Sequence, residues 1–250
     1  MNKLALFGFF IIISSLLIAQ SYHGASIQGI LDLPAFLIVF GGTLGAILIQ
    51  TSSKQFLDAL KLLPKIFLAP SSSLIEQSLK IKEWSHKSRL HGLLSLEQAN
   101  DNSLDPFTDK GIAMIVDGSD PIALQDVLQH DIDLECEHQE RSAQIFESMG
   151  GYSPTIGIIG AVLGLIQAMS FLDEPEKLGN GIAIAFVATI YGVGFANFIY
   201  LPIANKIRLH YRHIALYKEM TLVGLIAISH GENSLLLERR LDSYLNRAAY

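Results

Sequence analysis

The chain of 250 residues has one cysteine, one tryptophan and no block of positive charge. A single thiol, Cys136, cannot close an internal disulfide, so the fold rests on no covalent bridge. With 18 Lys and Arg against 24 Asp and Glu, the net charge is -6, which lacks the electrostatic footprint of a nucleic-acid binder. The signatures of common enzymes are missing too: there is no P-loop, no GxSxG and no HExxH. His210 and His213 have no third or fourth ligand at a metal-binding spacing. The sequence therefore reads as a protein without enzymatic chemistry, metal or cofactor.

The absence with the largest consequence is local. Residues 4–19, 33–50, 152–172 and 181–203 contain no Lys, Arg, Asp, Glu or His. Each run is close to the roughly 20 apolar residues that a helix rising 1.5 Å per residue needs to cross a bilayer. The first run exceeds the apolar core of a leader peptide, and Ile18-Ala19-Gln20 is a poor cleavage site, so it reads as a span. Apart from Lys3 and Lys177, every Lys and Arg lies between Lys54 and Arg141 or between Lys206 and Arg247. That bias places both termini and the long loop on the cytoplasmic side.

The expected architecture is all-α: a polytopic membrane protein with four transmembrane helices, two in residues 1–50 and two in 151–204. A helical cytoplasmic domain is formed by the loop 51–150 and the C-terminal segment 205–250. The loop, with 16 acids and nine bases, breaks into amphipathic stretches at Pro70, Gly92 and Gly118. The Ser71–Ser73 turn suits an N-cap, and Gly231 suits the end of a helix whose octet TLVGLIAI is too short to span and should pack on the loop helices.

The last two apolar runs carry small residues at helical spacing: Gly157, Gly160 and Gly164 on one, Gly181, Ala185, Ala188 and Gly192 on the other. Such rows let membrane helices approach closely. Thr155, Gln167, Thr189 and Asn197 each bond back to their own helix, face a neighbour or line a watery path. Pro154, near the start of one span and at the same membrane face as Pro202, suits simple helix initiation or a functional role. Pro202, near the end of the next, should kink a continuing helix.

Taken in order, IxxxLDLPAFLIVFGGT, GLLSLE, KGIAMIVDG, SPTIGIIGAVLGLI, ATIYGVGFANFIYLPIANK and LIAISHGEN cover nearly the whole chain and resemble the MotA/PomA family of flagellar motor stator proteins. That family comprises MotA and its sodium-driven relative PomA, and is more distantly akin to TolQ and ExbB. The resemblance implies a bacterial inner-membrane protein that couples ion flow to ring rotation. It implies five MotA-type subunits around two MotB- or PomB-type subunits, whose single helices carry the ion-binding aspartate, and a rotor partner, FliG. The small-residue faces of the last two spans are then the expected seat for the partner helix.

Residue by residue, the resemblance places Thr189 near the partner aspartate and Asp32 at the outer mouth of the second span; with Ala161 and the polar Thr155 they make up the expected ion path. It ties Pro154 and Pro202 to conformational coupling, and Arg89 and Glu97 to the rotor contact. Asp32 has a second reading as the cap of the helix that begins at Leu33-Pro34. Where sodium-driven members carry a threonine this chain has Ala161, whose methyl offers a hard cation no oxygen, so the expected coupling ion is H+ and the alternative Na+. Gly151 stands where some relatives place an acid. The competing function is a TolQ- or ExbB-like energiser of outer-membrane transport.

Overall fold

In the computed structural model, residues 31–66, 73–99 and 105–248 are described, together with scattered positions between 7 and 22. Half of the first apolar run, 4–19, therefore lies outside the described residues. All regular structure among the described residues is helical. Three helices there are long and apolar enough to cross a membrane: Leu33–Gln50, Pro121–Met169 and Leu178–Ser229.

Helix α1, Leu33–Gln50, starts at Asp32, whose carboxylate accepts from the Ala35 N–H at 2.7 Å, with Pro34 in the first turn. Both features match how helices begin. A π turn, Leu37–Gly41, interrupts it. Helix α2, Ser53–Ile66, follows after two residues and contains Pro64. Helix α3, Leu74–His91, is capped by Ser73, which accepts from the Glu76 N–H, and ends at Gly92 with φ 79°. A 3₁₀ helix, Leu93–Ala99, and α4, Pro106–Val116, come next.

Helix α5 runs unbroken from Pro121 to Met169 with Pro154 well inside it. This corrects the helix-initiation reading of Pro154. Without an N–H, the proline releases the carbonyl of Gly150 while neighbouring turns keep the helix going. Helix α6, Pro175–Phe195, passes through a π turn, Ala196–Tyr200, into α7, Leu201–Ser229. The kink expected at Pro202 thus coincides with a widened turn, whose altered bonding lets the helix continue past the carbonyl that Pro202 cannot use. Gly231, at φ 65°, closes α7 ahead of α8, Ser234–Ala248.

The chain folds as two compact units, Met1–Ala69 with Glu140–Arg208 and Pro70–Gln139 with Leu209–Tyr250. The second unit has an extended apolar core, in which Ile81, Trp84, Leu96, Ile112, Leu128 and Leu225 are nearly or fully buried. The octet TLVGLIAI contributes Leu222, Leu225, Ala227 and Ile228 to this core, as its length required. Gln77 donates to both Thr108 at 3.2 Å and Thr221 at 3.0 Å, so three buried polar groups satisfy one another. Asp105 caps α4, accepting from the Phe107 and Thr108 N–H groups, the Thr108 hydroxyl at 2.6 Å and the Tyr217 hydroxyl at 2.9 Å. Burial and the adjacent Asp105 carboxylate push the Tyr217 phenol well above its ordinary pKa.

Candidate functional site

The first unit is built around contact between α5 and α6. A Cβ placed on Gly192 would stand 2.7 Å from the Ser153 carbonyl, one on Gly164 2.7 Å from the Ala185 nitrogen, and one on Gly181 2.7 Å from the Ala168 nitrogen. The two helices are therefore antiparallel and touch backbone to backbone through the rows predicted from the sequence. The expectation that these rows seat a partner helix is corrected here: they are occupied by each other, and no side chain fits between them.

The register of that contact decides where every other residue points. In an antiparallel pair, residues one step before the contact positions turn to one side and residues one step after turn to the other, on both helices. The earlier residues, Ile156 on α5 and Ile184, Val187 and Tyr191 on α6, face α1. Ile156 lies against Gly42, while Ile184 and Val187 pack with Ala35 and Val39. Phe36 and Phe40 of α1 meet Tyr191 and Phe195 of α6 in a cluster of ring contacts.

The later residues make a flank away from α1: Pro154, Ile158, Ala161 and Leu165 on α5, and Phe186, Thr189 and Val193 on α6. Among the described residues this flank is open, with Ile158 59% and Phe186 68% exposed. It carries no charge, and its one hydroxyl, Thr189, donates to the Ala185 carbonyl at 3.1 Å. The structure thus sets Ala161 and Thr189 on the same flank. Thr155 is on the far side of α5, exposed and donating to the Tyr152 carbonyl at 2.8 Å. Asp32 is on the α1 side, where it caps that helix and its N–H donates to the Tyr191 hydroxyl at 3.2 Å.

Two features here carry little signal in the sequence. Ser153 is fully buried, and its hydroxyl has no hydrogen-bond partner among the described residues. Arg208 of α7 grips Glu140 with three bonds of 2.7 to 3.1 Å and Glu147 with one of 2.5 Å. The guanidinium holds the Glu140 carboxyl below the usual range, and the two carboxylates raise the Arg208 pKa in turn. The seven-residue spacing of the two acids on α5 could have been noticed, but their partner lies 68 and 61 residues away.

In the second unit, Arg89 occupies the last turn of α3 and donates to the Ser234 hydroxyl at 2.8 Å, at the start of α8. Glu97 is exposed on the 3₁₀ helix. Both charges are accessible to a partner.

These features define an all-helical, polytopic membrane protein whose spanning pair is uncharged and closely packed, with a separate charged helical unit. Residues 99–220 match the profile of the MotA/TolQ/ExbB proton channel family. The chain is 32% identical over 223 residues to chemotaxis protein PomA of Vibrio alginolyticus, covering 89% of this chain and 87% of that one. It superposes on the C. jejuni MotAB structure with a TM-score of 0.92 at 25% identity, over 98% of this chain and 96% of that one. For the flagellar MotAB stator complex from Bacillus subtilis the TM-score is 0.88 at 29% identity, over 96% and 94%. The chain belongs to the MotA/TolQ/ExbB proton channel family, in its flagellar stator MotA/PomA branch.

Proposed function

We propose that this protein is the MotA-type component of a flagellar stator that lets ions, protons in our reading, flow inward and turns that flow into torque on the rotor. The observation that carries this reading is the open flank of α5 and α6. It is apolar and uncharged, with a single hydroxyl at Thr189, so the carboxylate that an ion path needs must come from another chain. A single-span MotB-type protein bearing a membrane aspartate meets that requirement when its helix lies along this flank.

Loading the partner carboxylate from outside neutralises it and makes an apolar surface acceptable to it. Release inside restores the charge and changes which surface it prefers. A ring of MotA-type subunits, five around two partners in this reading, then steps by one place. One charge falling through 100 mV supplies about 2.3 kcal/mol, roughly four times RT, enough to bias each step. Pro154, on the same flank, and Pro202, beside the π turn, are positioned to let the helices flex. Arg89 and Glu97 meet complementary charges on the rotor protein FliG through contacts that are individually weak, as repeated making and breaking requires.

Ala161 supports the proton, because it gives a sodium ion no ligand oxygen. The Thr189 hydroxyl keeps sodium as the second reading. Swimming speed measured against external sodium at a fixed proton-motive force separates them: a flat response is expected for protons, and a saturating rise would transfer the assignment to sodium. Purification with a single-span protein carrying a membrane aspartate is the expected result for the partner.

A further inference from the structure

Helix α2 begins two residues after α1 leaves the membrane and belongs to the same compact unit. Two residues reach about 7 Å at most, so its first turn lies at the level of the lipid headgroups. Ala59, Leu62 and Ile66 form its buried face. Leu57, 53% exposed, and the exposed Leu60 and Pro64 point the other way. Lys54, Lys61 and Lys65, spaced seven and four apart and all exposed, line one flank between these two faces.

Lys61 contacts Asp58 at 3.1 Å, with the lysine side chain 73% exposed. Among the described residues no acidic side chain bonds Lys54 or Lys65. Leucines on the outward face and a row of basic heads beside them are what a helix lying in a bilayer interface presents, with lysine stems reaching along the apolar surface toward the phosphates. We infer that α2 is an anionic-lipid recognition element: Leu57 and Leu60 enter the acyl boundary while Lys54, Lys61 and Lys65 hold acidic phospholipid headgroups. This inference rests on the membrane reading of α1 and is independent of the stator reading.

The test is native mass spectrometry of the purified full-length protein titrated with phosphatidylglycerol and, separately, phosphatidylcholine. The wild type is expected to retain phosphatidylglycerol in preference. With each lysine contributing about fivefold near an anionic surface, the K54Q/K61Q/K65Q variant should lose that preference by at least about tenfold. The triple arginine variant should keep it, and Asp58→Asn, which frees Lys61, should strengthen it. Wild-type preference measured in nanodiscs of the two lipids should also collapse at about 1 M salt, where screening acts within about 3 Å. Equal retention of both lipids by the wild type, full preference in the glutamine variant, or salt-independent preference would each overturn the assignment.

Discussion

Thr189 and Gly192 lie three residues apart on α6 and illustrate two different kinds of dependence. The Thr189 hydroxyl bonds its own helix, so its removal disturbs little packing. Thr189→Ala should change thermal stability by no more than about 0.5 kcal/mol, the range of a substitution away from core features. Reconstituted with its partner, the same variant should lose ion flux measured by a pH-sensitive dye, and unchanged flux would remove Thr189 from the path. Gly192 is the opposite case, because a side chain there meets the Ser153 carbonyl and Pro154 backbone, which cannot swing aside as a side chain can. Gly192→Val should cost about 1 to 3 kcal/mol, the typical penalty of overpacking, seen as a lower melting temperature in detergent.

Asp105 is a third residue-scale case. Its carboxylate satisfies two N–H groups and two hydroxyls at the start of α4. Asp105→Ala removes the cap and leaves the half-buried Tyr217 hydroxyl without this acceptor, a loss of about 2 to 4 kcal/mol. Hydrogen exchange should show it as loss of protection in α4 and in the part of α7 around Tyr217. Tyr217→Phe, which removes only one donor, should cost about 1 kcal/mol.

At the scale of elements, the legibility of the chain divided along physical lines. Signals that act within a few residues were readable: the charge-free runs, Asp32 and the Ser71–Ser73 turn as sources of caps, and Gly92 and Gly231 as the ends of helices. Each depends on local backbone chemistry. The small-residue rows were readable as contact surfaces, but their partner was not, since a glycine row facing its own chain is written like one facing another. Pro154 misled for a related reason: a proline marks a helix start as readily as a tolerated bend inside a membrane helix. The π turns at Leu37–Gly41 and Ala196–Tyr200 have no composition of their own.

The turn before Pro202 can be tested directly. Pro202→Ala restores an N–H able to reach the Phe198 carbonyl, so the π turn should tighten into regular helix. Stability should hold or rise slightly. Swimming speed should fall if the widened turn is where the helix flexes, and wild-type speed would show that it is not.

For the whole molecule, the Arg208 cluster predicts a dependence on pH. Glu140 titrates below its ordinary value in the folded protein, so the stability it contributes is fully present above pH 4.5 and is lost as pH falls through the lowered value. The melting temperature of the wild type should exceed that of Glu140→Gln at neutral pH, and the two should converge as pH falls below 4.5 and through the lowered value. Parallel curves across that range would mean that the contact adds nothing measurable, as exposed ion pairs often do.

The uncharged flank of α5 and α6 bears on how a cell builds such a machine. Hydrocarbon tolerates this surface, so the polypeptide can enter the bilayer before its companion is made. Under the proposed reading the assembly has no acid to carry ions until the companion supplies one, so reserves of it should accumulate without draining the membrane potential.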